Sequence, residues 1–369
     1  MSKEPIRCLE FFSGIGGLHY ALKIANINAQ VVGAFDVNLI ANKVYKHNFG
    51  ISPITKPIDR LTAKDIDAYK AECWLLSPPC QPYTSGGLQK DIEDPRAKPL
   101  LHLVDLLPTL CNLPKYLFLE NVKNFETSKT RLQLIKQLKE LKYHLIENLL
   151  TPTQFGIPNN RVRYYLVAYL KEEENDMPLF ENTINTTWPP FSQQVEINIP
   201  PLSYFLEDFS DRKDESERLL VPDKYILRLY KFRLDIVRPT DKLTSCITKA
   251  YGSHHIQTSG SLIQTKDLEN VEYNWDDMQS LLSFGLRFLS PTEISRLHAF
   301  PGPKYQLDSL VSKEQYSSHD IQPFSPAHCL PHLIFPEDIT QMQQYRLLGN
   351  SLNCWVVAEL YRCLLFRSN

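Results

Sequence analysis

Cys80 lies in a proline-rich segment, SPPCQP at residues 77–82, directly after the apolar run CWLL at residues 73–76. Proline fixes the φ angle and donates no amide hydrogen, so the segment is stiff and can aim a short thiol side chain with little loss of conformational entropy. A lone cysteine is most often a small hydrophobic core residue. The polar loop around Cys80 favours a nucleophile instead, in which the thiolate is the reactive form.

Charged residues that could assist this nucleophile follow or begin other apolar segments. Glu120 comes directly after YLFL at residues 116–119, a position that favours a site residue over a helix cap. Arg161 and Arg163 lie in the segment QFGIPNNRVR at residues 154–163. A thiol, a carboxyl group and guanidinium groups are a set from which covalent and acid catalysis can be built.

A glycine turn follows the first apolar segment. Three of the 13 glycines of the chain, Gly14, Gly16 and Gly17, crowd this turn. Glycine lets the backbone approach a ligand closely, although a plain tight turn is the simpler interpretation of the glycines alone. The dinucleotide fingerprint G-x-G-x-x-G would need glycine at position 19, where the chain has His19, and this weakens the case for a nicotinamide cofactor.

Acidic residues after the glycine turn favour a nucleoside ligand without pyrophosphate. Asp36 ends the second apolar segment, about 20 residues later, where a carboxylate can accept hydrogen bonds from both ribose hydroxyls. Ile58 and Asp59 follow a proline, and the carboxylate there is placed to accept from the exocyclic amine of an adenine. The alternative for Asp59 is a helix cap for a segment that begins at residue 61 or 62.

The first half of the chain alternates strand and helix candidates, which is the α/β pattern. Each motif above follows the end of a strand candidate, where open parallel sheets place ligands, and the apolar strands predict a sheet covered on both faces. Apolar runs predict strands at 7–12, 30–35, 73–76, 116–119 and 163–170, and helical spacing predicts helices at 18–27, 100–107 and 130–141.

Composition limits the classes of protein to consider. At 369 residues, 43% of them hydrophobic, the chain can form two domains with a sizeable core, and its net charge of −2 gives no global basic signature. Its eight cysteines have no C-x-x-C spacing, so neither a disulfide framework nor a metal site is predicted. No signal region and no run of roughly 20 apolar residues is present, which predicts an intracellular protein without a membrane partner.

Domain boundaries follow changes in composition. An acidic run and a proline-rich stretch after residue 170 predict a catalytic domain over 1–187 and a target-recognition domain over 188–340, with a polar, loop-rich insertion at 304–333. The C-terminal segment 341–369 contains an apolar stretch with helical spacing, and we expect it to return to the catalytic domain.

Taken together, the motifs resemble those of the cytosine-5 methyltransferase family. Within it, the chain is most similar to the branch historically named DNA methyltransferase 2, now regarded as tRNA methyltransferases, as the segments SCITKAYG at 245–252 and LLGNSLN at 347–353 indicate. That branch usually has Cys-Phe-Thr in the first of these, so Ile247 is a departure. Six blocks match in order: FSGIGG at 12–17, SPPCQP at 77–82, ENV at 120–122, QFGIPNNRVR at 154–163, SPTEISRLHAFP at 290–301 and GNS at 349–351.

The resemblance implies a Rossmann-like S-adenosylmethionine-dependent methyltransferase domain with a smaller target-recognition domain. It also implies methyl transfer from S-adenosylmethionine to C5 of an anticodon-loop cytosine, cytosine 38 of tRNA-Asp. The cofactor-binding residues it implies are Phe12, Ser13, Gly14, Ile15, Gly16, Gly17, Asp36, Val37, Ile58, Asp59, Ser77, Pro79, Asn350 and Ser351.

Cytosine C5 is a poor nucleophile, so an enzyme must push electrons into the ring by adding a nucleophile at C6. Cys80 as thiolate can do this, and a protonated Glu120 can supply the proton that N3 then needs. C5 attacks the sulfonium methyl, and loss of the C5 proton expels Cys80. Arg163 is expected to bind the base O2, Arg161 to support the loop or the thiolate, and Asn121 to orient the proline loop.

Lys224, Arg228 and Lys231 have helical spacing and alternate with aromatic residues, so they form a candidate phosphate-binding face. The competing interpretation is the solvated face of an amphipathic helix, with acidic residues nearby. For Cys246 a structural or RNA-positioning role is favoured. The expected partner is the anticodon stem-loop of tRNA.

Three alternatives remain open from the sequence. DNA could be the substrate of the same chemistry, since compact DNA methyltransferases share the motifs. The chain could also be a nucleic-acid-binding protein that has lost catalysis, against which the intact Cys80, Glu120 and Arg163 argue. An oxidoreductase is the least favoured. A monomer located in the cytoplasm, the nucleus or both is expected.

Overall fold

A computed structural model of the chain describes residues 4–84, 90–170, 183–188, 197–300 and 333–366. The predicted insertion at 304–333 lies outside these ranges except for its last residue. The strands are β1 Ile6–Phe11, β2 Ala29–Phe35, β3 Cys73–Leu76, β4 Tyr116–Val122, β5 Tyr143–Leu150, β6 Arg163–Leu170, β7 Ile184–Asn185, β8 Ile236–Val237 and β9 Leu262–Ile263. The helices are α1 Gly17–Ile24, α2 Leu39–Phe49, α3 Ala63–Asp67, α4 Lys98–Leu106, α5 Lys129–Glu140, α6 Lys213–Leu219, α7 Asp223–Leu227, α8 Pro291–Leu297, α9 Gln341–Gly349 and α10 Cys354–Leu360.

The chain forms two compact units. The first consists of Met1–Leu150, Val162–Gln194 and Cys354–Asn369, and the second of Thr151–Arg161 and Val195–Asn353. These units divide the chain at other positions than the predicted domains, because residues 151–161 and 341–353 belong to the second unit. The assignment of catalysis to one domain and target recognition to the other stays a prediction.

The first unit is built on a seven-stranded sheet with the order β2-β1-β3-β4-β6-β5-β7. Strands β1 to β4 run parallel, whereas β6 runs antiparallel to both β4 and β5, so the sheet is mixed. The carboxyl ends of β1, β3 and β4 therefore meet the amino end of β6 at one edge. The residues that follow or begin these strands are brought together there.

The predicted strands at 73–76 and 163–170 agree with the structure, and the others differ at their ends by a few residues. Strand β5 was not predicted. Its buried His144, Glu147 and Asn148 interrupt the apolar run that marks a buried strand. Arg131 of α5 neutralises Glu147 with a bidentate pair at 2.5 and 2.7 Å, which allows the carboxylate to lie inside the sheet layer.

Aromatic packing holds the centre of the first unit together. Phe11 stacks on Phe35 at 5.1 Å and meets the edge of Trp74 at the same distance, which joins β1, β2 and β3. Helix α10 is buried along its whole length and packs on α1. The turn after it, Tyr361–Leu365, sets Tyr361 against Phe118 of β4 at 4.8 Å. Residues 354–366 thus complete the first unit.

The second unit has short elements around a buried ion pair. Arg287 forms two hydrogen bonds with Glu293, at 2.8 and 2.9 Å, and both side chains are at most 5% exposed. The predicted basic helical face is wrong, because α7 ends at Leu227 and Lys231 has a left-handed φ of 50°. Lys231 instead pairs with Asp276 at 2.9 Å. None of the helices in the described ranges is long and apolar enough to cross a membrane.

Candidate active site

The cysteine loop continues from β3 and is held at both ends. Asn121 donates its side-chain amide to the Pro78 carbonyl at 3.3 Å, the orienting contact that the sequence predicted. The Tyr83 amide donates to the Cys80 carbonyl at 3.0 Å and closes a turn around the thiol. Cys80 is half-buried. The loop therefore presents the thiol from a backbone that is tied to β4.

Ser77 joins the cysteine loop to the glycine turn. Its hydroxyl donates to the Phe12 carbonyl at 2.9 Å, and its amide donates to the Phe11 carbonyl at 3.3 Å. Phe12 has a positive φ of 59°, a conformation that costs a non-glycine residue energy and persists only where the surroundings enforce it. These hydrogen bonds join the two motifs at the edge of the sheet.

Glu120 and Arg163 face each other across β4 and β6. Glu120 is opposite Tyr165 in the ladder, so Arg163 is its diagonal neighbour on the same face. The Arg163 Nε lies 3.4 Å from the Glu120 Oε1, and the two side chains are 13% and 11% exposed. This places a carboxyl group and a guanidinium, both poor in water contact, beside the segment that carries Cys80.

Arg96 is a charged residue near the cysteine loop that sequence reasoning did not single out. It forms a bidentate ion pair with Asp94, at 2.9 and 2.7 Å, and this pair raises the pKa of Arg96, with a smaller contribution from the charge of Cys80. The Asp-x-Arg spacing shortly after the proline loop was the available signal.

Arg161 has a different setting, inside the second unit. It is 3% exposed and donates to the Ile247 carbonyl at 3.0 Å, the Gly349 carbonyl at 3.2 Å and the Ser351 carbonyl. Its Nη1 also lies 3.3 Å from the Cys246 Sγ. These contacts tie two loops of that unit together, and the predicted support of the cysteine loop or the thiolate stays a prediction. The role of Arg161 in catalysis stays a prediction.

The glycine turn is organised by Asp36. Its Oδ2 accepts from the Gly14 amide and its Oδ1 from the Asn38 amide, both at 2.8 Å, and burial raises its pKa. Gly14 has a φ of 51°, and a side chain built there would meet no atom within 4 Å. The open space in front of Gly14 is a cradle that any larger residue would fill, which fits close approach of a ligand.

The predicted adenine end also fits a nucleoside. Val37, next to Asp36, is 62% exposed and is therefore accessible to a ligand. Asp59 lies exposed in the short helical turn Ile58–Arg60. The alternative role as a helix cap does not apply to Asp59, because Thr62 caps α3 in a reciprocal arrangement with Asp65.

These features agree with the donor that the sequence predicted, S-adenosylmethionine. The carboxylate of Asp36 suits a ribose, and the apolar side chain of Val37 suits the face of an adenine. The open space at Gly14 suits the aliphatic part of the ligand, which can lie against the backbone there. Asn350 and Ser351 follow α9 in the second unit, and their cofactor role stays a prediction. Within the described residues, no three His, Cys, Asp or Glu side chains come together as metal ligands would.

A buried polar network under the glycine turn was not predicted. The Tyr45 hydroxyl donates to Glu10 at 2.7 Å and lies 2.9 Å from the His19 Nδ1. Burial raises the pKa of Glu10 to about 8 and lowers that of His19 to about 3. His19 also stacks on Phe49 at 3.9 Å, so the residue that breaks the dinucleotide fingerprint is a core residue here.

The first unit is an α/β fold with a mixed sheet. One edge of this sheet carries the cysteine loop, the glycine turn and Asp36, a carboxylate placed to bind a ribose. This arrangement is that of an S-adenosylmethionine-dependent methyltransferase. Residues 6–364 match the C-5 cytosine-specific DNA methylase family, and the chain belongs to that family. The family, the α/β methyltransferase fold, the enzyme class and the methyl donor predicted from the sequence are thereby confirmed.

Known proteins similar to this chain come from several organisms. A human protein named tRNA (cytosine(38)-C(5))-methyltransferase is 36% identical over 424 residues, which cover 98% of this chain and 99% of that protein. A Dictyostelium discoideum protein named DNA (cytosine-5)-methyltransferase is 34% identical and covers 98% of this chain and 94% of that protein. The crystal structure described as S. pombe Dnmt2 methyltransferase has a TM-score of 0.75 and 32% identity, with 99% of both chains covered.

Proposed function

We propose that this chain methylates C5 of an anticodon-loop cytosine in tRNA, cytosine 38, through a covalent adduct between Cys80 and C6 of the base. The proposed mechanism is supported by one observation: the loop that holds Cys80 lies beside the pair formed by Glu120 and Arg163. The substrate follows from relatives of nearly equal length whose names state this tRNA position, at 36% identity for the human protein.

The proposed steps use the residues at the sheet edge. Cys80 Sγ, as thiolate, forms a bond to C6, and the ring electrons move toward N3, where Glu120 delivers its proton. Arg163, 3.4 Å from that carboxyl group, stabilises the charge that Glu120 gains and donates to the base O2. Bound S-adenosylmethionine supplies an electrophilic methyl group to C5. Loss of the C5 proton to solvent then re-forms the C5–C6 double bond and expels Cys80 as thiolate, while N3 returns its proton to Glu120.

RNA is the favoured substrate for a physical reason as well. A base must leave its stack before a thiol can reach C6, and a base in a single-stranded loop is extruded at lower cost than one in a duplex. DNA is the second candidate, supported by the Dictyostelium relative named as a DNA methyltransferase. The location in the cytoplasm or nucleus and the monomeric state stay predictions.

The test measures transfer of labelled methyl from S-adenosylmethionine to purified tRNA and to duplex DNA. We compare the unaltered protein with Cys80→Ala and with Cys111→Ala, which removes an exposed thiol of the same unit. The expected result is label in tRNA alone, lost in Cys80→Ala and kept in Cys111→Ala. Label mainly in DNA would show that DNA is the substrate. Methylation of tRNA by Cys80→Ala would show that Cys80 is not the nucleophile.

A second measurement tests the covalent adduct itself. A tRNA with 5-fluorocytosine at position 38 cannot lose a C5 proton, so the enzyme stays bound to the base after methyl transfer. We expect a complex that resists denaturing electrophoresis with the unaltered protein and with Cys111→Ala. If the same complex formed with Cys80→Ala, another residue would be the nucleophile.

A further inference from the structure

A cavity of about 490 Å³ lies within the second unit, outside the residues assigned to methyl transfer. Cavities that bind small ligands typically measure about 300 to 1,000 Å³, so one nucleoside fits this volume. Its lining includes Asn160, Asp235, Leu243, Ser245, Thr248 and Gln257. Most of these side chains can form hydrogen bonds.

The charge of the lining limits the ligand. Among the residues that the structure describes, Asp235 is the only charged one that lines the cavity, and a carboxylate accepts hydrogen bonds but repels phosphate. A ligand group with two neighbouring donors matches it best, because a carboxylate can accept both at once. The side-chain amides of Asn160 and Gln257 could donate to a carbonyl of the same ligand.

Hydrogen bonds hold Asp235 in position before any ligand binds. The Ser245 amide donates to the Ser261 Oγ at 2.8 Å, and the Ser261 hydroxyl donates in turn to Oδ2 of Asp235. Ser261 is fully buried, so this relay is fixed from the interior. No described residue donates to Oδ1, which leaves that oxygen available. Leu243 is 50% exposed and offers an apolar surface on which a base can lie.

We propose that this cavity binds one unpaired nucleoside of the substrate RNA, with Asp235 accepting from two neighbouring donors and Leu243 contacting the base. The inference rests on the proposed tRNA substrate. Two parts of a nucleoside have such paired donors: the N1–H and N2–H edge of guanine, and the ribose diol. RNA-binding proteins commonly recognise splayed bases of loops and the 2′-hydroxyl in this way.

The experiment compares Asp235→Asn with Asp211→Asn, an exposed residue of the same unit that does not line the cavity. Both variants remove one negative charge, and asparagine at position 235 keeps a side-chain oxygen that can accept from Ser261. We expect the KM for tRNA to rise about tenfold in Asp235→Asn, with kcat within about twofold, because charge-assisted paired contacts have that order of strength. Asp211→Asn should match the unaltered protein. Gln257→Ala, at an exposed position, serves as a second lining variant.

Substituted tRNAs distinguish the two donor pairs. Inosine in place of each loop guanosine removes the N2 amine, and single 2′-deoxy substitutions remove a ribose donor. The position that weakens binding to the unaltered protein, but adds nothing in Asp235→Asn, identifies the bound nucleoside. If tRNA is methylated and neither Asp235→Asn nor Gln257→Ala differs from Asp211→Asn, the cavity inference is overturned while the proposed function stands. If DNA alone is methylated, the proposed function fails and the inference falls with it.

Discussion

Arg161 and Arg163 are separated by one residue, yet they belong to different units and have different partners. Arg161 is buried among backbone carbonyls of the second unit, where it joins the loop at Ile247 to the turn after α9. Arg163 begins β6 of the first unit and faces Glu120 across the sheet. Alternation along an extended chain would put residues two apart on the same face, so it does not explain the difference. The chain passes from the second unit to the first between Arg161 and Val162.

The comparison separates two uses of the same residue type. A guanidinium with five donors can satisfy several carbonyls at once, which suits a junction of loops such as that around Arg161. Arg163 instead pairs with the carboxyl group of Glu120, and its Nη1 donates to the neighbouring Val162 carbonyl at 2.8 Å. A short motif with two arginines is therefore not evidence of two catalytic arginines.

The largest effect is expected for Arg163→Ala. Loss of a donor that stabilises developing charge typically lowers kcat by about 10²- to 10³-fold. Arg163→Lys keeps the charge without the planar fork and should recover only part of the rate. Steady-state methylation with purified tRNA measures both, and thermal unfolding in parallel checks that the variants are folded. Methylation by Arg163→Ala within about threefold of normal would remove Arg163 from the site.

Arg161→Ala should act on stability instead. Three buried carbonyls lose their donor, which should lower the free energy of unfolding by about 3 kcal/mol. The lysine of Arg161→Lys can donate to only some of these carbonyls. Its free energy of unfolding should therefore lie between those of Arg161→Ala and the unaltered protein. Urea unfolding followed by fluorescence gives the values. Unchanged stability combined with a kcat loss as large as that of Arg163→Ala would erase the distinction between the two arginines.

Two buried acids have different partners. Glu293 of the second unit is paired with Arg287, whereas Glu10 of the first unit is bonded to a tyrosine hydroxyl and a backbone amide. Burial raises the pKa of Glu10 from 4.5 to about 8. Between these values the folded protein keeps a proton that the unfolded chain has lost, so stability should fall as pH rises, by at most about 1.4 kcal/mol per pH unit.

Glu10→Gln should remove this part of the pH dependence, and urea unfolding at several pH values between 5 and 8 measures it in both proteins. The difference in stability between the variant and the unaltered protein should grow as pH rises. Parallel curves for the two proteins would mean that Glu10 titrates normally in the folded state.

The smallest expected effects come from two exposed apolar residues, Val37 in the first unit and Leu243 in the second. Val37→Ala should raise the KM for S-adenosylmethionine by about three- to tenfold through lost apolar contact, and leave the KM for tRNA unchanged. Leu243→Ala should raise the KM for tRNA and leave the KM for S-adenosylmethionine unchanged. Isothermal titration and steady-state kinetics can check both variants. If both affected the same ligand, either Val37 would not contact the cofactor or Leu243 would not contact the RNA.

Strong local patterns in the sequence were sufficient for much of the fold and the site. The four buried residues of β3 and the stiff proline loop after it predicted both a strand and the position of Cys80. Asn121 was correctly predicted as its orienting partner. The prediction of a basic helical face that includes Lys231 was wrong. Helix α7 begins after Pro222 and has about one turn and a half, and Lys231 lies beyond it with a positive φ. Residue spacing alone does not reveal where such a helix ends.

The sequence by itself determined the family and its methyl donor, because the order and type of the motif residues were enough to identify both. Tertiary structure alone decided which residues meet. The antiparallel direction of β6 brings Arg163 to Glu120, and the fold encloses Glu10 under the glycine turn and Arg161 among carbonyls. These outcomes depend on contacts between residues far apart in the chain, whose energies no local pattern contains.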